Sequence, residues 1–143
     1  MFIGEYTYSI DEKKRLAVPL KFRELLGKEA VITRGLDQCL FLYPMKEFEA
    51  MAEKISKLPL AQADARGFGR LMFTGAMKVT FDNLGRIIVP DFLKAYASLG
   101  KRVVVAGLYN RVEVWDEKKW TDYKQKTEQE AGDIAERLKE LNL

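Results

Sequence analysis

Two arginines stand at matching positions in a repeated motif, and their side chains have the chemistry to bind an anion or a base edge. Arg15 and Arg86 each follow an aspartate by four residues, Asp11 or Asp82, and each precedes three apolar residues and a proline. A guanidinium is a planar fork of N–H donors that fits phosphate oxygens or the O6/N7 edge of guanine. The motif alone leaves open a second interpretation of about equal weight, in which each arginine only pairs with its own aspartate and supports a turn. Repetition favours binding modestly, because an array of such turns would multiply phosphate contacts.

Lysines beside the first arginine would add phosphate contacts as point charges. Lys13 and Lys14 directly precede Arg15, whereas Gly85 takes the place of Lys14 in the second copy. Glycine adopts a positive φ angle without a steric penalty. A lysine at that position either takes a strained left-handed conformation or forces a different type of turn.

The two aspartates could also form an acid/base pair, but the sequence argues against this. An aspartate at the start of a tight turn accepts hydrogen bonds from backbone N–H groups two residues on, which explains Asp11 and Asp82 without catalysis. The chain has no histidine, which removes the commonest general base and the commonest zinc ligand. We therefore predict a protein that is not an enzyme and needs no cofactor, metal or small-molecule substrate. An enzyme of the double-psi barrel class that uses either aspartate is the weakest alternative.

The overall composition is that of a globular protein with a slightly basic surface. The net charge is +3, which suits an anionic partner without requiring one. No run of about 18 uncharged apolar residues could span a bilayer, and the N-terminus lacks the pattern of a signal peptide. We therefore expect a cytoplasmic protein without a membrane partner. The single cysteine, Cys39, cannot form an intrachain disulfide and is predicted to be a small core residue rather than a reactive thiol.

The elements that must position the arginines also repeat along the chain. Alternating apolar residues predict a strand over residues 2–10, a turn over 11–14 and a second strand over 16–18, which together would form a hairpin. A proline then stops the second strand and suits the first turn of a helix. Two further strands follow before a closing helix, and the second copy repeats this order. Repeats this short seldom bury a core alone, so we predict that the two share one.

The final helical segment carries an apolar stripe whose packing partner is not evident. Trp120, Tyr123, Ile134, Leu138 and Leu141 recur at helical spacing with charged residues between them. Such a stripe needs an apolar surface to cover it. We predict that it packs either on the chain's own core or on a neighbouring subunit.

Several further motifs occur in an order that resembles one known family. They are Met1-Phe2-x-Gly4, Asp11-Glu12-Lys13-Lys14-Arg15-Leu16-Ala17-Val18-Pro19, Leu42-Tyr43-Pro44, Asp64-Ala65-Arg66, Gly75-Ala76, Asp82-Asn83-Leu84-Gly85-Arg86 and Val114-Trp115-Asp116. Together they resemble the MraZ transcriptional regulators, whose subunits contain two tandem SpoVT/AbrB-like repeats. The likeness covers nearly the whole chain, and several motifs in order are far more specific than any one of them.

The resemblance implies an architecture. It is an α+β fold in which two interleaved SpoVT/AbrB-like repeats form a β-barrel of double-psi type with peripheral helices. The subunits would assemble into a ring-shaped homo-oligomer. The implied domains are repeat 1 over residues 5–47, a helical connector over 48–75, repeat 2 over 76–119 and a C-terminal helix over 120–143.

The resemblance also implies a function, which is sequence-specific binding of double-stranded DNA. Family members bind short direct repeats in the promoter of the division and cell-wall gene cluster and regulate it, usually as repressors. We expect this chain to act there, on its own gene among others, in the cytoplasm and on the nucleoid. The DNA-contacting motif maps onto residues 11–15 and 82–86, with Arg15 and Arg86 at the positions of the family's arginines and Lys13 and Lys14 beside the first. The family's first motif normally has glycine where this chain has Lys14.

A different function stays open as a second hypothesis. The chain would then be a ring-forming protein-interaction module without direct DNA readout. Its two turns would be only structural, and its C-terminal helix would engage a protein partner.

Overall fold

The computed structural model of the chain describes residues 1–142, and strands and helices follow one another in the same order twice. The first half contains β1 (Phe2–Ser9), β2 (Arg15–Ala17), α1 (Leu20–Leu26), β3 (Glu29–Arg34), β4 (Leu40–Pro44) and α2 (Met45–Ser56). A further helix, α3 (Ala63–Thr74), leads into the second half. The second half contains β5 (Met77–Thr80), β6 (Arg86–Ile88), α4 (Asp91–Tyr96), β7 (Arg102–Tyr109), β8 (Val112–Asp116) and α5 (Glu117–Gln129). The α+β class is therefore confirmed.

The strands form one large and one small antiparallel sheet. The large sheet has six strands in the order β1-β7-β8-β4-β3-β5, and the small sheet pairs β2 with β6. Both sheets combine strands from the two halves of the chain, so the halves are interleaved. Within the described residues the pairing leaves β1 and β5 as the edges of the large sheet. The closed barrel that the resemblance implies stays a prediction, as do the domain boundaries.

The predicted hairpin between residues 2–10 and 16–18 is wrong. Strand β1 pairs along its whole length with β7 of the second half, and β2 pairs with β6. Across the first turn, strand pairing within residues 1–142 is limited to a single bridge between Ile10 and Leu16. The local pattern specifies two strands and a turn but does not specify their partners. Pairing β2 with β6 sets Leu16 opposite Ile87, which buries both side chains in a shared core.

The two faces of the large sheet each cover an apolar core. The inner core draws on both halves and includes Leu16, Phe22, Ile87 and Leu93, which are almost completely buried. The predicted shared core is thus confirmed. The outer core lies beneath α2, α3 and α5 and includes Cys39, Met72 and Trp115 as well as other residues of β4 and β7. The prediction that Cys39 is a small core residue is also confirmed, and burial raises the pKa of its thiol.

The C-terminal segment differs from the single helix predicted over residues 120–143. It consists of α5, then α6 (Ala131–Arg137) and a 3-10 turn (Leu138–Leu141). Residue 143 of that prediction lies outside the described residues. The carboxylate of Asp116 caps α5 by accepting a hydrogen bond from the backbone N–H of Lys119 at 3.3 Å. No helix within residues 1–142 is both long enough and apolar enough to cross a membrane.

Candidate nucleic-acid interface

The first turn is built around the carboxylate of Asp11. Its Oδ1 accepts hydrogen bonds from the backbone N–H groups of Lys13 and Arg15, each at 2.9 Å. Its Oδ2 accepts a hydrogen bond from Nε of Arg15 at 2.6 Å. The backbone N–H of Lys14 closes the turn by donating to the Asp11 carbonyl at 3.0 Å. One aspartate therefore fixes both the turn and the arginine that follows it.

The second turn repeats this arrangement around Asp82. Its Oδ1 accepts hydrogen bonds from the N–H groups of Leu84 and Arg86, each at 2.9 Å, and its Oδ2 accepts from Nε of Arg86 at 2.8 Å. The backbone N–H of Gly85 donates to the Asp82 carbonyl at 3.0 Å. The two motifs predicted from sequence are thus the same structure, built twice.

These donors also determine the charge of the two aspartates. The backbone hydrogen bond from Arg15 is the largest cause that lowers the pKa of Asp11, and the one from Arg86 is the largest that lowers the pKa of Asp82. Both carboxylates are therefore held ionised, whereas an acid/base dyad needs one of its members to hold a proton near neutral pH. The arrangement suits a structural role for the two aspartates.

Lys14 adopts the left-handed conformation, so the first of the two alternatives for this residue is correct. Its φ angle is 64°, close to the 76° of Gly85. The carbonyl of Lys14 accepts a hydrogen bond from the N–H of Val89 at 2.9 Å, and the carbonyl of Gly85 accepts one from Val18 at 3.1 Å. Each turn is therefore bound to the strand end of the other repeat, and the lysine does not disturb the equivalence of the two backbones.

The pairing of β2 with β6 places the two arginines on one face of the small sheet. Arg15 is opposite Ile88, and Arg86 is opposite Ala17, two positions further along. Because side chains alternate between the faces of a strand, both arginines point away from the core that receives Leu16. They are diagonal neighbours, a relationship that separates backbones by about 7–8 Å.

The guanidinium groups keep their outer nitrogens available. Among the hydrogen bonds within residues 1–142, Arg15 and Arg86 use only Nε of the side chain, which donates to the aspartate of the same turn. The side chains are 32% and 25% exposed, respectively. The two sequence interpretations are thus compatible, since Nε supports the turn while the Nη nitrogens make no hydrogen bond within the described residues.

The two predicted lysines differ in their surroundings. Lys13 is exposed, and no ion pair to it occurs within the described part of the chain. Lys14 instead donates to Asp91 at the start of α4, with Nζ 2.7 Å from Oδ2. This hydrogen bond is the largest cause that lowers the pKa of Asp91. The charge of Lys14 is therefore compensated within the chain, whereas that of Lys13 is not.

Sequence reasoning missed Arg23, which lies against the second turn. Its Nε donates to the carbonyl of Val18 at 2.9 Å, and its guanidinium covers Gly85. A Cβ atom at Gly85 would lie only 2.5–2.6 Å from Nε and Nη1 of Arg23. In the sequence, only Gly85 could have indicated this contact, because a glycine can mark a place where another group approaches the backbone closely. The second turn thus has a cation beside it, as the first turn has Lys14.

No group of three or more His, Cys, Asp or Glu side chains within residues 1–142 is arranged to hold a metal ion. The oxygens of Asp11 and Asp82 are already occupied by donors of their own turns. What the site offers to a ligand is therefore a pair of arginine forks with cations beside them.

Comparison with known proteins adds a family relationship to this geometry. A family model described as "MraZ protein, putative antitoxin-like" matches the chain twice, over residues 1–71 and 72–142. The two matches correspond to the two halves that the repeated turns define, and they meet within α3.

Curated relatives are similar along the full length. The chain is 46% identical to a protein of Natranaerobius thermophilus and 46% identical to one of Alkaliphilus metalliredigens, in each case over 143 residues that cover 100% of both chains. It is 43% identical to a protein of Clostridium tetani with the same coverage. All three relatives carry the name "Transcriptional regulator MraZ".

Proposed function

The chain belongs to the MraZ family, and we propose that it is a sequence-specific DNA-binding transcriptional regulator whose two arginine turns contact the DNA. The resemblance to this family is therefore confirmed. The prediction that the chain is not an enzyme is confirmed as well, because the family is named for transcriptional regulators. The contacts with DNA, the target promoter and the assembly are the proposal.

One observation carries the proposal, namely the diagonal placement of Arg15 and Arg86 on the solvent face of the small sheet. A separation of about 7–8 Å between diagonal neighbours corresponds to about two steps of 3.4 Å along a DNA strand. The major groove is wide enough for a two-stranded ribbon. The two Nη forks would meet bases or phosphates about two steps apart, and Lys13 would add a phosphate contact.

Rigidity supports this role for the arginines. An arginine normally loses side-chain freedom when it binds, which reduces affinity. Here each side chain is already held by a hydrogen bond from its Nε to the aspartate of its own turn. The donor–acceptor distance is 2.6 Å for Arg15 and 2.8 Å for Arg86. The forks are therefore pre-organised for planar, bidentate recognition of a guanine edge or a phosphate.

The charge of the site favours assembly of several subunits on the DNA. Asp11 and Asp82 compensate the two arginines, and Asp91 compensates Lys14. One subunit therefore has a weak electrostatic attraction for phosphates. Linking several such sites raises the overall affinity without new contacts. A homo-oligomeric ring that engages direct repeats in double-stranded DNA would provide this multivalency.

The proposed target comes from the family resemblance. It is the promoter of the division and cell-wall gene cluster, including the chain's own gene, where the protein would act as part of the nucleoid. No cofactor takes part in this function, because the side chains themselves provide the contacts.

A second candidate function is favoured by the Asp–Arg pairs themselves, since an arginine bound to its own aspartate supports a turn without any ligand. In that case the chain would form rings that bind proteins and would not contact DNA directly. Footprinting distinguishes the two functions.

The test is footprinting of the purified protein on the DNA upstream of its own gene. We expect protection of short direct repeats with a constant spacing. A fragment in which the repeats are scrambled, at equal length and base composition, is the matched control and should show no protection. Equal protection of both fragments, or protection of neither at saturating protein concentration, would contradict sequence-specific binding.

A further inference from the structure

An apolar groove lies between α2 and α3, on the outer face of the large sheet. Its volume is about 370 Å³, and its lining includes Ile55, Leu58, Leu60 and Phe73. Three of these side chains are substantially exposed: Leu58 at 43%, Leu60 at 81% and Phe73 at 40%. Large apolar side chains that are exposed together mark a surface that binds another molecule.

The end of the chain carries an apolar stripe in which Ile134 and Leu138 are half-buried and Leu141 is exposed. We call α6 and the 3-10 turn together the C-terminal arm, Ala131–Leu141. Its apolar residues Ile134, Leu138 and Leu141 recur at steps of four and three, which places them on one side of a helix. No residue of α6 or of the turn is buried, and Leu141 is 73% exposed.

Helix α5, which leads into the arm, packs on different strands of the large sheet from the two helices of the groove. The helix begins after β8, and its side chains Trp120 and Lys124 both donate to the carboxylate of Glu5 on the edge strand β1, the second at 2.6 Å. The groove helices α2 and α3 instead pack beside β3 and β4, further along the strand order. Helix α5 therefore packs toward the β1 end of the strand order, whereas the groove helices pack toward the β5 end.

Charge and length make the arm and the groove complementary. Arg66 and Arg70 line the groove. The arm carries Asp133, Glu136 and Glu140 as well as Arg137 and Lys139, which gives it a net charge of −1, and its Glu136 pairs with Lys139 at 2.9 Å. Arg66 also donates to the carbonyl of Leu60 at 3.1 Å, which fixes one side of the groove. At about 1.5 Å per residue, the arm is about 16 Å long and α3 about 18 Å.

We propose that the C-terminal arm of one copy docks in the α2–α3 groove of a second copy. The inference rests on the proposed homo-oligomer and identifies the surface that builds it. The contact is heterologous, because the arm and the groove are different surfaces. Such contacts generate a ring when the rotation between neighbours closes. Each subunit donates one arm and accepts another.

Cross-linking between copies tests the docking directly. Ser56→Cys places a thiol in the groove, and Ala135→Cys places one on the arm. The native Cys39 is fully buried and does not compete. When the two variants are co-expressed and treated with a short bis-maleimide, we expect one chain of each kind to be joined. Replacing Ser56→Cys with the exposed Lys118→Cys, which is outside the groove, is the matched control and should give no joined pair.

The mass of the assembly in solution, without DNA, provides a second measurement. Leu138→Glu and Arg70→Glu should each weaken self-association about tenfold or more, because they place a charge in an apolar contact or reverse a charge pair. Leu36→Glu changes a leucine that is 49% exposed and outside both surfaces, and it should leave the mass unchanged.

The outcomes separate this inference from the DNA-binding proposal. Wild-type assembly that persists in both variants, or cross-links formed only within one chain, would overturn the docking and leave DNA binding unaffected. A wild-type chain that is monomeric at all concentrations would overturn the docking and the oligomer together.

Discussion

Nη1 of Arg86 lies 4.0 Å from Oδ2 of Asp11, a carboxylate that belongs to the other repeat. The two turns are therefore one cluster of two arginines and two aspartates. Neither half of the chain contains this cluster, because it forms only when β2 pairs with β6. The arrangement of the candidate interface thus depends on the interleaving of the halves.

Separated halves should fail to fold. Residues 1–75 alone lack the partners of β1 and β2. Residues 76–143 lack the partners of β5 and β6 and one of the two partners of β7. Each fragment would leave much of the shared core exposed. We expect circular dichroism of either fragment to show a largely unfolded chain, and an equimolar mixture to recover the native spectrum. A native-like, cooperatively melting fragment would contradict the shared core.

The two turns should respond differently to substitution at their left-handed positions. Gly85→Ala should destabilise the protein by about 1–2 kcal/mol, since alanine is strained at this φ angle and meets Arg23. Lys14→Gly relieves the left-handed strain of the first turn but also removes the ion pair with Asp91, so it should change stability by less than about 1 kcal/mol. Urea unfolding measures both.

A matched glycine supports the interpretation of that experiment. A Cβ at Gly67 in α3 would meet no atom within 4 Å, and its φ angle is not positive. Gly67→Ala should therefore stabilise the protein by about 0.5–1 kcal/mol, as expected within a helix. Equal effects of Gly67→Ala and Gly85→Ala would show that the second turn does not need its glycine.

Low pH should destabilise both turns and so lower the melting temperature of the protein. The pKa values of Asp11 and Asp82 are lowered from an ordinary value near 3.8. A carboxylate with a lowered folded-state pKa stabilises the fold above its unfolded pKa, and this contribution is lost as the pH falls through the folded value. The melting temperature should decline below about pH 4. In Asp11→Asn/Asp82→Asn the decline should be smaller, and parallel declines of the two proteins would contradict this account.

Salt dependence should distinguish the two lysines. Each phosphate contact contributes about 0.9 to the slope of log affinity against log salt concentration. Lys13→Ala should reduce the slope by about this amount per engaged subunit. Lys14→Ala should change it less, because Asp91 already compensates Lys14. Equal slopes for Lys14→Ala and Lys13→Ala would mean that the ion pair opens on the DNA.

The local features of this fold, such as its turns, can be predicted from the sequence, whereas the pairing partners of its strands cannot. The spacing of Asp11 and Arg15 predicts the turn, because an aspartate oxygen reaches N–H groups two and four residues on. The partner of β2 is not predictable in this way, because β1 and β6 both offer antiparallel pairing. Strand β2 pairs with β6 rather than β1, because this pairing buries Leu16 against Ile87 in the shared core.

In the candidate site, too, the residues of the local motif were predictable, whereas contacts between residues distant in sequence were not. Arg15 and Arg86 were predicted, since their motif repeats. The contact of Arg23 with Gly85 and the bond from Lys14 to Asp91 were not, because the second spans 77 residues of sequence and both depend on how the helices pack. Only the three-dimensional structure shows that Lys14 is compensated and that Arg23 lies at the second turn.

The most direct test of the central claim is a gel-shift titration of Arg15→Ala/Arg86→Ala with DNA from upstream of the chain's own gene. Each arginine that contacts a base should contribute about 1–3 kcal/mol, so the double variant should lose promoter binding while circular dichroism and assembly mass stay unchanged. Arg102→Ala removes an exposed arginine that pairs with Glu117 away from the turns, and it should bind as the wild type does. Wild-type affinity in the folded, assembled double variant would contradict the assignment of the two arginines as the DNA-contacting residues.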